Sequence, residues 1–176
     1  MKIKTLFLAS CLLASAGIAH ADNLFDKYEG KTVKVFVADI KDSTQSPVMD
    51  AQILKTEIQK ALTERRSIRF QLVPAAADAQ IVIDTNIIEF VWSDHDPVDM
   101  LVGIGGTAAD VAMVEDYARL QAEVTITDQR TSKTVWKERV SATMTKKPMS
   151  QAESIPLVAE KYAKTFIKNC FSKKSR

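Results

Sequence analysis

Histidine and cysteine are nearly missing from this chain, with two of each in 176 residues. A closed zinc or iron–sulfur site draws several such ligands together, so the usual thiolate and imidazole centres are excluded on supply alone. Five glycines and five prolines leave no room for a flexible or proline-rich linker tract. No internal repeat is visible. The apolar stretch from Leu6 to Ile18 falls short of the roughly 20 residues that a membrane-spanning helix needs.

That stretch has a different reading. Lys2 and Lys4 precede it, and Ala19-His20-Ala21 follows as a small-x-small site before Asp22. This is the pattern of a secretory signal peptide cleaved after Ala21. A second wording, Leu8-Ala9-Ser10-Cys11, is that of a lipoprotein cleavage box, which would make Cys11 an acylated first residue. Only about six apolar residues would then precede the cut, against the usual 7–15 or so. Simple secretion is the reading adopted, giving a periplasmic or secreted protein, with outer-membrane association left open.

Cleavage changes the chemistry of what remains. The mature chain, Asp22 to Arg176, has 155 residues, a usual size for one domain. Loss of Lys2 and Lys4 leaves basic and acidic side chains equal at 22 each. The isoelectric point of about 8.5 therefore belongs to the precursor, and no excess positive charge points to nucleic acid. Cys11 and His20 also depart, so Cys170 and His95 are the last of their kinds. A single cysteine forms no internal disulfide. Cys170 is then either a buried small apolar residue or the partner in an intermolecular disulfide.

Periodicity sets out the elements. Thr32 to Ile40 carries apolar residues on both sides, the mark of an inner strand. Ser46-Pro47 offers a helix cap and a first-turn proline, and the helix to Arg66 aligns Ala51, Leu54, Ile58, Ala61 and Leu62. Strands follow at Ile68–Val73 and Gln80–Trp92. Tyr117–Asp128 alternates with Leu120, Ala122, Val124 and Ile126 inward; Thr134–Thr145 pairs with it as a hairpin. Ser150 to Phe171 is a helix with Ile155, Val158, Ala159, Tyr162, Phe166 and Cys170 on one stripe. The order β-α-β-β-(insert)-β-β-α predicts a single α+β domain, 22–176: a two-layer mixed β-sheet covered by two helices.

Chemical motifs are sparse. Gly103-Ile104-Gly105-Gly106-Thr107-Ala108 matches the letters of a dinucleotide fingerprint, but the acidic run Asp94 to Asp99 precedes it, not a buried strand. Neither a nucleotide nor any other cofactor is expected. Asp94, His95, Asp96 and Asp99 offer oxygen and imidazole ligands for a cation, with Glu115 and Asp116 as the nearest additions. The competing reading is a solvated loop. No Gly-x-Ser-x-Gly element occurs, and the one mature histidine lies among aspartates, so no enzyme is predicted.

The insert 100–114 is the distinctive stretch, with one charge in fifteen residues. Loops normally carry polar groups to water. Met100, Leu101, Val102, Ile104, Val111, Met113 and Val114 either fold back over the sheet or meet a partner or membrane. The C-terminal helix adds a basic bias through Lys161, Lys164, Lys168, Lys173, Lys174 and Arg176. It suits a helix C-terminus or peripheral contact with anionic lipid.

Four stretches carry a likeness to a known module: Val33–Ile40, Phe70-Gln-Leu-Val73, Ala77–Ile83 and Asp128–Trp136. Together they resemble the α/β module of curli-secretion CsgG-type proteins, of the penicillin-binding-protein activator LpoB and of LptE-like lipopolysaccharide-assembly lipoproteins. Ser132 stands where that module usually has a turn glycine, and no lipid-bearing cysteine opens the mature chain. The resemblance implies a non-catalytic binding or assembly module of the bacterial envelope. Its partner is expected to be another envelope protein or a second copy of itself. The alternative is a small-ligand or metal-binding protein using the Asp94–Asp99 loop.

Overall fold

The computed structural model describes residues 24–44, 49–93, 117–145 and 150–173. In chain order the elements are α1 (Phe25–Tyr28), β1 (Thr32–Val37), β2 (Lys41–Asp42), α2 (Ala51–Thr63), β3 (Arg69–Leu72), a 3₁₀ turn (Ala76–Asp78), β4 (Ile81–Ser93), β5 (Tyr117–Asp128), β6 (Lys133–Thr145) and α3 (Gln151–Phe171). The sheet runs β3-β1-β4-β5-β6, with β2 beside β4. β1 is parallel to β3 and β4, while β4, β5 and β6 are antiparallel. This is the two-layer mixed α+β arrangement that the alternating strands predicted.

Side-chain alternation decides which face is covered. Leu120, Ala122, Val124 and Ile126 of β5 are fully buried beneath the helices. Registration sets Ile83, Ile126 and Trp136 side by side, and Ile87, Ala122 and Val140 in a second row. Trp136, at 2% exposure, meets Phe166 of α3 with ring centroids 5.6 Å apart. Phe171 closes the far end edge-on to Phe70 at 4.9 Å. Burial of each such ring removes apolar surface worth about 1.5–3 kcal/mol. The opposite face keeps Arg119, Gln121, Glu123 and Thr125 toward solvent, with an Arg119–Glu89 pair at 2.7 Å across strands.

Helix ends are set by local acceptors. Asp50 Oδ1 accepts from Gln52 N at 2.8 Å and Ile53 N at 3.3 Å, so α2 opens at Ala51. The predicted Ser46–Pro47 opening is corrected accordingly; those two residues lie outside the described ones. α2 also ends at Thr63, three residues before the predicted Arg66. Arg65 is thereby free to serve the other helix: its guanidinium donates to Phe171 O at 2.9 Å and Ser172 Oγ at 3.0 Å. A cation on the last carbonyls of α3 offsets the negative end of its dipole. At its start, Ser150 Oγ accepts from Glu153 N while Glu153 Oε2 accepts from Ser150 N, a reciprocal capping box.

Two further expectations are corrected. The residues before Thr32, to which the sequence pattern assigns no element, contain α1, and Leu24, Phe25 and Tyr28 belong to the core. Leu24 N donates to Cys170 O at 3.0 Å, fastening this turn to α3. Four residues are too few for periodicity to register. β1 is inner, as predicted, but stops at Val37; the chain steps across and pairs Lys41 with Asn86 and Asp42 with Ile87 as β2. Phe36 on the uncovered face is only half-buried.

Candidate functional site

β4 and β5 are paired from Ile81↔Asp128 at one end to Ser93↔Tyr117 at the other. The second pairing brings both flanks of segment 94–116 to the same end of the sheet. Trp92, Ala118 and Met144 form a row there on the helix side, and Phe90, opposite Leu120, precedes Trp92 on the same strand. Trp92, Phe90 and Met144 are only partly buried. The predicted contact residues Met100, Leu101, Val102, Ile104, Val111, Met113 and Val114 lie outside the described residues. So do Asp94, His95, Asp96, Asp99, Glu115 and Asp116. Among the described residues no group of three acidic, histidine or cysteine side chains is placed to hold a metal.

Cys170 sits at 0% exposure in the inner stripe of α3. Burial pushes its thiol far up, and the nearby Glu138 carboxylate adds to that. Only the thiolate attacks or exchanges disulfides. An intermolecular disulfide through Cys170 would therefore require α3 to lift off the sheet. The geometry matches the small buried apolar residue. Tyr162, also fully buried, has its phenol raised by desolvation and reaches Ala122 O at 3.4 Å.

The basic residues of α3 line a shallow groove of about 410 Å³ with Met144 and Leu157. One of these charges is answered by an ion pair within the fold, and a second lysine is tied to a backbone carbonyl. Lys164 Nζ pairs with Glu160 at 2.6 Å, and that bond is the main cause of its raised pKa, with Glu64 and Glu57 of the neighbouring helix adding to it. Lys161 Nζ donates to Thr143 O at 2.5 Å. Lys174 and Arg176 lie outside the described residues. No described helix is long and apolar enough to cross a membrane.

A second cavity, about 490 Å³, opens at the opposite end of the β4–β5 ladder. α1 supplies Lys27 and Tyr28, the next turn Lys31, the end of β5 Asp128, and the β5–β6 turn Arg130. Lys27 Nζ lies 3.0 Å from Asp128 Oδ2 and 5.1 Å from the Tyr28 ring centroid. Burial alone would lower the Lys27 ammonium, but the Asp128 bond and Tyr28 outweigh it and its pKa is raised. Lys27, in turn, holds the Asp128 carboxyl below the ordinary carboxylate range, helped by the Thr131 and Arg130 amides. Those amides bond Asp128 Oδ1 at 3.3 and 3.1 Å and close the turn. Ser132, with φ of 53°, takes the left-handed conformation that the usual glycine would adopt freely. Sequence reasoning missed this cleft because it joins residues 101 apart. The Leu24, Phe25 and Tyr28 spacing was the one available signal.

No family model matches this sequence, and no curated protein matches it. Solved structures do match in fold. The hypothetical protein CT253 from Chlamydia trachomatis superposes with a TM-score of 0.55 at 9% identity, covering 78% of this chain and 95% of its own. The PelC dodecamer from Paraburkholderia phytofirmans gives 0.53 at 13% identity, covering 80% and 90%. Protein XCC0632 from Xanthomonas campestris, of family DUF330, gives 0.51 at 7% identity, covering 81% and 83%. At these identities the likeness is one of fold.

Proposed function

We propose that the chain is a non-catalytic assembly module of the bacterial cell envelope, acting through contacts with an envelope protein or with further copies of itself. The observation that carries this reading is the Ser93↔Tyr117 pairing. It sets positions 93 and 117, which flank the apolar stretch Met100–Val114 in sequence, at one end of the sheet beside half-buried Trp92 and Met144. Apolar side chains close to such an end are what a docking partner buries. The signal-like N-terminus and the resemblance to envelope-assembly modules support the compartment. Support for self-association comes from the fold neighbour PelC, which is a dodecamer.

Deletion of Gly103–Val114 tests the contact. The variant is expected to keep its far-ultraviolet circular dichroism and lose co-fractionation with envelope membranes or partner. Unchanged co-fractionation would remove the segment from the reading. The second reading, a cation site at Asp94–Asp99, is separated by calorimetric titration of the mature protein with divalent cations; heat of binding lost on His95→Ala would favour it.

A further inference from the structure

Charge is distributed unevenly along the chain. Positions 94–116 hold six acidic residues and no lysine or arginine. Because the mature chain is neutral, the rest of it carries a matching positive excess. Part of that excess gathers in the cleft between α1 and the β5–β6 turn, where Lys27, Lys31 and Arg130 face a single carboxylate, Asp128. That carboxylate is already engaged by Lys27 at 3.0 Å and by two turn amides. Arg130, and Lys133 just beyond the turn, make no ion pair among the described residues. Lys31 commits one donor, to Lys27 O at 2.7 Å, and stays exposed.

We propose that this cleft is the socket for the acidic 94–116 stretch of a second copy of the chain, so that copies join head to tail. The inference rests on the assembly reading above and names its partner and surface. The socket and the flanks of the acidic stretch sit at opposite ends of β5, twelve residues long, which separates them by roughly 35–40 Å. That distance favours another molecule's cleft over the chain's own. Opposite charges steer encounter and fix register, and like ends repel, which disfavours a head-to-head pair. A contact between two different surfaces propagates, closing into a ring when the rotation permits.

Other surfaces carry less. In the α3 groove Lys164 is answered by Glu160, with Glu64 and Glu57 adding to it, and Lys161 is tied to Thr143 O. The edge of β6, which no described strand pairs with, presents Lys137, Glu138 and Arg139 at its middle, a pattern that blunts edge-to-edge pairing.

A charge swap tests the proposal. Mature protein is made with a reversed cleft (Lys31→Glu with Arg130→Glu) and, separately, with a reversed stretch (Asp94→Lys, Asp96→Lys and Asp99→Lys). Native mass spectrometry and sedimentation at low ionic strength then read the assembly state. Wild type is expected to assemble, each variant alone to be monomeric, and the equimolar mixture of the two to assemble again. A monomeric wild type, a cleft variant that assembles as wild type does, or a mixture that stays monomeric would each overturn it. Should a reversal unfold the chain, Lys31→Gln with Arg130→Gln replaces it, with at least a tenfold weaker association expected and undiminished association counting against the proposal. If copies do not associate while the Gly103–Val114 deletion still abolishes co-fractionation, this inference fails and the envelope reading stands.

Discussion

Trp136 lies 2% exposed beneath α3, packed on Phe166, whereas every residue from Gln129 to Thr134 on the turn just before it is exposed. The same hairpin therefore passes from a sealed core to an open pole within a few residues. Under α3 the strand residues alternate cleanly, and aromatic rings fill the space between sheet and helix. At the pole, shape is held by an Asp128-centred turn, an ion pair and a serine in the left-handed region. The difference separates two tasks. Hydrophobic burial, which is large and non-directional, holds the fold. Directional polar contacts at the ends, each small, shape surfaces that remain available to others.

The largest expected effect lies in the core. Phe166→Ala should destabilise the mature protein by about 3–5 kcal/mol in denaturant titration, through lost burial and the cavity left beside Trp136. A loss below about 1 kcal/mol would mean that the covered face is less tightly packed than described. Arg65→Ala is intermediate. Removing the guanidinium from Phe171 O should cost about 1–2 kcal/mol and fray the end of α3, visible as faster amide exchange in its last turn.

The smallest effect belongs to the pole. Asp128→Asn keeps an oxygen for the turn amides and removes the charge facing Lys27. It should cost about 0.5–1 kcal/mol at neutral pH, since the pair is partly open to solvent. Its signature is pH dependence. Asp128 is held below its ordinary value of 3.8, so its contribution is complete above that value and is lost as pH falls through the lower folded value. Lys27 is raised above 10.5, so its contribution is complete below that value and is lost as pH rises through the higher folded value. The variant should therefore flatten the stability profile in both windows; an unchanged profile would show that the pair contributes nothing.

Legibility from sequence follows the same division. β5, β6 and α3 could be read because each is long enough to repeat its pattern many times, as Leu120 to Ile126 and Val158 to Cys170 show. α1 could not, because four residues give no period. Arg65 was not legible as the cap of a helix a hundred residues away, which only packing reveals. The Lys27–Asp128 cleft was illegible for the same reason. Ser132 was legible in part: a turn position that usually takes glycine does have positive φ. The apolar insert drew attention by composition, and composition cannot say which surface it meets.

Amide hydrogen exchange on the mature protein, comparing low with high ionic strength, tests most directly whether the core holds the fold while the poles make the contacts. Low ionic strength should add protection at residues 27–31, 129–133 and 94–116, with little change beneath α3. Protection gained instead along residues 137–145 of β6 or across the open sheet face, with the poles unchanged, would contradict the account.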